Sequence, residues 1–179
     1  MKKIFLLFLI LPIFCFAKNN KNQFIAKTYS EFINPKPDTT IQDIFVNSSG
    51  DNIIVKTKLG KQKYPIESVW GYLPKDGVSK RVYKKHVYEI KQIDTLSIYG
   101  RTISMGKRKR QTYFSVGLNG DIYKLNSVEL EKVFGKKNEK FLKIYKEELK
   151  WYDYYEAFDK KTNSYKIVNI FKKSIQLSQ

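Results

Sequence analysis

Apolar and polar residues alternate through the first two thirds of this chain and change to a three-and-four spacing in the last third. The first pattern belongs to strands with one wet face and the second to amphipathic helices. Gln42 to Val46 and Asn52 to Leu59 read as two strands joined by Asn47-Ser48-Ser49-Gly50-Asp51. Ile53, Val55, Thr57 and Leu59 share one face, and Lys56 and Lys58 the other. Lys61 to Tyr64 follows Gly60 as a further strand, and Pro65 to Ser68 is an irregular link. An aromatic strand, Val69-Trp70-Gly71-Tyr72-Leu73, then ends at the turn Pro74-Lys75-Asp76-Gly77. Ser79 to Tyr83 and His86 to Lys91 are strands about a Lys84-Lys85 tip. Thr95 to Arg101 comes next, with Leu96 and Ile98 facing one way. Asn119-Gly120 is the preferred pair for a two-residue type I′ turn. It predicts Leu118 opposite Asp121, Val116 opposite Tyr123 and Phe114 opposite Leu125, so that Phe114, Val116, Leu118, Tyr123 and Leu125 form one buried face.

The period changes at Asn126. Asn126 and Glu129 have the spacing of an N-cap and its reciprocal acid; Val128, Val133 and Phe134 follow at helical intervals, and Gly135 suits the stop. A second helix is predicted from about Asn138, with Phe141, Leu142, Tyr145, Leu149 and Tyr152 on its apolar stripe. The aromatic knot Trp151-Tyr152-Asp153-Tyr154-Tyr155 with Phe158 closes it. Ile167, Val168, Ile170, Phe171 and Ile175 fit a last short helix, with a strand over Tyr165 to Phe171 as the alternative. The fold class is therefore α+β: an antiparallel β-meander of about six to eight strands followed by two or three C-terminal helices that cover one face or edge.

The N-terminus sets the expected compartment. Lys2-Lys3, the apolar run from Ile4 to Leu11 and the boundary Cys15-Phe16-Ala17 have the form of a secretory signal peptide cut before Lys18. Ile4 to Phe16 falls short of the roughly 20 residues that span a hydrocarbon core, so no transmembrane span is expected once the leader is removed. Lipidation of Cys15 is the alternative, although bulky Phe14 stands where lipoprotein leaders carry a small residue. The expected organisation is a signal peptide over 1–17, an extended tail over 18–39 carrying Pro35-Lys36-Pro37, and a single α+β domain over 40–179. Cys15 is the only cysteine, so the mature chain has no disulfide framework and depends on an ordinary core.

Charge narrows the function less than its size suggests. The formal charge of +17 becomes +15 without Lys2 and Lys3. Of 34 basic residues only Arg81, Arg101, Arg108 and Arg110 are Arg. Abundant Lys, Asn, Ile, Tyr and Phe beside scarce Ala match an AT-rich coding sequence, so part of the basicity records base composition. Three of the four Arg cluster at one place, which composition does not explain. Arg101, Lys107, Arg108, Lys109 and Arg110 flank or fill the connection between a strand ending at Arg101 and one starting at Gln111. They are the candidate anion-binding residues, for lipid headgroups, lipopolysaccharide phosphates or acidic glycans of an envelope.

With Trp70-Gly71-Tyr72, Asp76-Gly77, Arg81, the strand Tyr113-Phe114-Ser115 and the Tyr-rich closing helices laid out, the chain resembles small exported proteins of Bacteroidota, a group with no assigned activity. The resemblance implies an envelope location and supplies no catalytic residue.

Candidate chemistry is sparse. His86 is the only histidine, with Glu89 and Asp94 near it in sequence as partners for a general base. One His and no mature Cys argue against zinc, and no acidic loop has calcium spacing. The glycines of Gly117-Leu118-Asn119-Gly120 lack the Lys-Ser/Thr of a phosphate loop. No cofactor and no nucleic-acid partner are expected. The expected function is a non-catalytic binding or interaction domain of the envelope, for an anionic surface or another envelope protein. The alternatives are a small hydrolase acting on envelope polymer and a structural subunit of an exported assembly.

Overall fold

The computed structural model describes residues 23–105, 107–136, 138–149 and 157–176. The expected leader and the Trp151 to Tyr155 part of the aromatic knot lie outside them. Strand β1 (Phe24–Ala26) and helix α1 (Tyr29–Ile33) come first, then β2 (Ile41–Val46), β3 (Asn52–Thr57) and β4 (Gly60–Pro65). A 3-10 turn at Ile66–Ser68 leads to β5 (Gly71–Leu73), β6 (Lys80–Tyr83), β7 (His86–Gln92), β8 (Leu96–Met105), β9 (Lys107–Val116) and β10 (Tyr123–Lys124). Helices α2 (Ser127–Phe134) and α3 (Glu139–Glu148), the short hairpin β11 (Phe158–Asp159) and β12 (Ser164–Tyr165), and helix α4 (Lys166–Gln176) complete the described chain.

The architecture is α+β with an antiparallel meander, as the alternation predicts. β5 to β10 lie side by side in sequence order, and β1 extends the sheet on the β5 side to seven strands. β2, β3 and β4 form a separate three-stranded sheet. The pairings Tyr72 with Lys80, Val82 with Val87, Glu89 with Gly100 and Ile98 with Phe114 place all of these residues on one face of the large sheet. At one end of that face the small sheet lays Ile44, Ile53 and Val55 against Tyr72 and Val82. At the other end the three C-terminal helices cover Leu96, Ile98 and Phe114. The opposite face carries Phe24, Ala26, Tyr88 and Tyr99, closed over by Phe32 of α1 and by Leu118.

Helix starts follow the caps read from sequence. The Asn126 side chain accepts from the Glu129 N–H at 2.9 Å and Asn138 from the Phe141 N–H at 3.0 Å, each satisfying an otherwise unpaired donor of the first turn. Phe141, Leu142, Tyr145 and Leu149 are buried as their spacing requires, and 166–176 is helix rather than strand. Val128 faces solvent at 69 % exposure, because Leu130 and Phe134 take the buried stripe. Gly135 is right-handed helical, not the left-handed stop expected of it.

Two larger expectations fail. The expected tail over 18–39 is folded from Gln23 onward. β1 pairs with β5, Phe24 matching Leu73, and a complete Thr28–Glu31 capping box starts α1. Phe24, Ala26 and Phe32 are buried. A three-residue strand and a five-residue helix are too short to show a period, and they gain stability only from the sheet they meet.

The Asn119-Gly120 hairpin does not form either. Phe114, not Val116, pairs with Tyr123, so the connection spans 117–122 and the register moves by two residues. The left-handed glycine is Gly117, at φ 67, while a Cβ on Gly120 would stand 2.3 Å from the Val116 carbonyl oxygen. Gly120 thus serves close approach of two backbone segments rather than a type I′ turn. In consequence Phe114 and Leu125 join the helical core, Leu118 joins the opposite face, and Val116 is 45 % exposed. A two-residue turn with both central residues left-handed is found instead at Lys84 (φ 48) and Lys85 (φ 63).

Candidate functional site

Polar residues enter this fold at three connected places. The first lies on the face shared by the small sheet and the helices, in the gap between them. The two-residue turn at Lys84-Lys85 sets Lys80 opposite Glu89, and strand alternation puts Lys91 on the same side. Glu89 accepts from Lys80 at 3.3 Å, Lys91 at 2.5 Å and Arg110 at 2.5 Å. Gly100 leaves the room for this convergence, since a Cβ there would stand 2.9 Å from Lys91 Cε and 3.2 Å from Arg110 Nε. Burial alone would raise the Glu89 pKa; the hydrogen bond from Lys91 and the charge of Lys80 outweigh it and bring it down to about 2.

The second place is on the opposite face. Arg81 is buried and donates to the Tyr99 hydroxyl at 3.0 Å and to the Gly120 carbonyl at 2.7 Å. Its guanidinium lies 5.2 to 5.6 Å from the rings of Trp70, Tyr83 and Tyr99. Trp70 Nε1 donates to Asn119 Oδ1, and the Tyr83 hydroxyl to Asp121 Oδ1. Among the described residues no carboxylate pairs with Arg81. The cation is held by ring faces and neutral oxygens, and it pins the 117–122 connection to the back of the sheet.

The third place is a cleft of about 450 Å³ between the small sheet and β5 to β8. Val46, Ile66, Tyr72 and Val87 supply its apolar lining. Lys80, Lys85 and Glu89 line it as well, and so do His86 and Arg101, from strand positions that share the opposite face with Tyr83 and Tyr88. Arg101 Nη2 lies 3.1 Å from His86 Nδ1. A guanidinium only donates, so Nδ1 accepts, and the neutral imidazole carries its proton on Nε2. Partial burial first, and the Arg101 charge second, hold the His86 pKa below its ordinary value. Lys85 pairs with Glu67 at 2.5 Å, but both side chains are mostly exposed, where an ion pair contributes little. Tyr72 is pushed up to about 12, by burial and then by the charge of Asp76, and stays a neutral phenol.

The structure divides the five candidate anion-binding residues. Lys107 to Arg110 are not a connecting tip; they belong to β9, which pairs with Thr102 to Met105 in a hairpin ten residues long on each side. Neighbours in a strand face opposite ways, so Lys109 and Arg110 do not act on one surface. Arg110 is committed to Glu89, and Lys109 is exposed. Arg101, which pairs with Gln111, lies on the face opposite Arg110, beside Tyr88 and His86. Lys80 and Lys85 were missed, although centring a hairpin on Lys84-Lys85 already places Lys80 across from Glu89. Among the described residues the hydrogen-bonding partner of His86 is Arg101 rather than Glu89 or Asp94. No group of three or more His, Cys, Asp or Glu among them is placed to hold a metal ion.

The chain matches no known protein-family model, no characterised protein and no solved structure. No helix among the described residues is long and apolar enough to cross a membrane.

Proposed function

We propose that this is an exported envelope protein whose folded part is a non-catalytic binding domain for an anionic partner. The observation that carries the reading is the cleft, which basic and apolar residues line together while both groups suited to proton transfer are already engaged. His86 is held by Arg101, and Glu89 by three cations. A hydrolase acting on envelope polymer needs a base free to take a proton, and this arrangement supplies a recognition surface instead. Export is supported by Lys2-Lys3, the apolar run after them and the Cys15-Phe16-Ala17 boundary.

The test has two parts. N-terminal sequencing of the exported protein is expected to begin at Lys18; a lipid-blocked terminus would place the anchor on Cys15. Flotation with vesicles containing anionic lipid is expected to carry the protein at low salt and release it at 1 M salt, where the Debye length is about 3 Å. Equal flotation with neutral vesicles, or none with either, overturns the anionic partner.

A further inference from the structure

We propose that the outer edge of β9 is a docking site for an extended acidic segment of another protein, which adds to the large sheet as a further strand. The inference rests on the binding-domain reading for the sign of the partner's charge. Beyond it, the inference gives the partner's class and a place for it outside the cleft.

The edge is open because its neighbour is short. β9 has ten residues and β10 two, which pair with Tyr113 and Phe114. Two hydrogen bonds fix where the backbone groups of β9 point. The Gly117 N–H donates to the Thr95 carbonyl at 2.7 Å, on the β8 side, and the Thr112 carbonyl accepts from the Leu125 N–H at 2.9 Å, on the β10 side. The N–H and C=O of one residue point the same way in an antiparallel strand, and the direction alternates from residue to residue. Lys107, Lys109 and Gln111 therefore turn theirs toward β8, and Arg108 and Arg110 turn theirs outward. Among the described residues nothing takes these outward groups.

Charge decides what can take them. Edge strands are commonly blunted by a bulge, a proline or a charge. β9 has no proline, and its pairing with β8 runs from Val116 to Lys107 without a register shift. Charge alone therefore protects this edge. Lys107-Arg108-Lys109-Arg110 puts a basic residue at four successive positions, and alternation assigns two to each face of the sheet. A second copy of β9 laid along the first would set like charges opposite one another, which is destabilising. A strand with carboxylates at successive positions meets opposite charge on both faces. The arrangement that keeps Lys109 and Arg110 from acting on one surface thus suits a chain lying between the two. Arg110 bonds Glu89 through one nitrogen and its side chain is 59 % exposed, so it keeps N–H donors for a second carboxylate. In such strand addition the main chain supplies affinity and the side chains select the partner.

The probe is the capped peptide Val-Glu-Glu-Val-Glu-Glu-Val, added to the mature chain at low salt. Amide hydrogen exchange is expected to slow by at least about tenfold at Arg108 and Arg110, and to change little at Lys109 and Gln111, which already bond β8. The same peptide with Pro in place of each Val keeps the charge but cannot pair as a strand, and is expected to bind at least about tenfold more weakly. Arg108→Gln, which keeps the backbone N–H, is expected to cost about threefold in affinity. Arg108→Pro removes that N–H at an edge position where proline is tolerated, and is expected to bind about tenfold more weakly than Arg108→Gln. Equal binding of the two peptides, or protection that does not alternate along β9, overturns the proposal, and both are read on wild type even if Arg108→Pro fails to fold. Protection at Arg108 and Arg110 that grows with protein concentration in the absence of peptide also overturns it, and makes a second copy the occupant. Flotation on anionic vesicles without peptide protection at Arg108 and Arg110 overturns the edge site and leaves the wider binding reading standing; failure of both removes the two together.

Discussion

One face of the large sheet supports two layers of opposite character. Over β8 and β9 the floor is Leu96, Ile98 and Phe114, and three helices bury it with a predominantly apolar stripe. Over β6 and β7 the apolar floor of Val82 and Val87 gives way to Lys80, Glu89 and Lys91, and the small sheet leaves a cleft there instead of a seal. The helical end is stabilised by area and shape. The cleft end has a smaller apolar core, Ile44, Ile53 and Val55 on Tyr72 and Val82, beside directional contacts between charged groups that contribute less to stability and leave polar surface accessible. A sheet that is close-packed at one end can carry an open, charged end, because the first supplies most of the burial that folding needs.

The largest effect that distinguishes the two ends is expected at Phe114, which is fully buried against Phe134 and Tyr123. Phe114→Ala should cost about 3 to 5 kcal/mol in chemical denaturation. Val116, two residues on but 45 % exposed, should cost about 0.5 kcal/mol or less when changed to Ala. Equal losses at the two positions would mean that β9 faces the helices in the other register.

Arg81 sharpens the comparison from the opposite face, because it is a buried charge that the packing rule alone would forbid. Arg81→Met keeps apolar volume but deprives the Tyr99 hydroxyl and the Gly120 carbonyl of their donor. The expected loss is about 2 kcal/mol, with the 117–122 connection losing hydrogen-exchange protection first. A Met variant as stable as wild type would show that the cost of dehydrating the guanidinium cancels everything it gains from its three rings.

These contrasts also explain what the sequence revealed. At the helical end each decisive signal is local: Asn126 and Asn138 as caps, and Phe141, Leu142 and Tyr145 at helical spacing. Such signals survive without knowledge of the fold. The cleft joins Val46, Ile66, His86 and Arg101 from separate strands and a turn, so none of its neighbourhood is a sequence motif. Only the Lys80 to Glu89 pairing was readable, through the turn between them. Residues 23–33 were misread for a related reason: β1 and α1 are too short for periodicity, and only β5 makes them structure. The Asn119-Gly120 turn was overruled when Arg81, 39 residues away, took the Gly120 carbonyl. The Lys107 to Arg110 run reads as a connection because its charges hide the strand that continues through it.

The Lys84-Lys85 turn offers a smaller test. Both residues sit in the left-handed region, which disfavours side chains other than Asn, Asp or Gly. Replacing the pair by Asn-Gly is expected to raise stability by about 1 kcal/mol, read as a higher denaturation midpoint with an unchanged slope. A loss would mean that the Lys85 to Glu67 pair at the cleft rim contributes more than the strain it accompanies.

The smallest effect is expected at Glu89, where the charged strip and the apolar floor meet. Its folded pKa, about 2, lies below the ordinary carboxylate value of 4.5, so the contribution to stability is complete above about pH 4.5 and fades as pH falls through 2. Glu89→Gln removes the titrating group and leaves Lys80, Lys91 and Arg110 facing one another without their shared acceptor. At pH 6 the variant is expected to be less stable than wild type, and the difference should shrink steadily between pH 4.5 and pH 2. Because the Glu89 side chain is 36 % exposed, added salt should shrink it as well. Phe114→Ala supplies the control, since its loss comes from a cavity and should vary little with either pH or salt. If the Glu89→Gln difference is as flat in pH and salt as the Phe114→Ala one, the three cations do not act on Glu89 as charges. The strip would then be only the polar margin of the helical core rather than the electrostatic wall of a binding cleft.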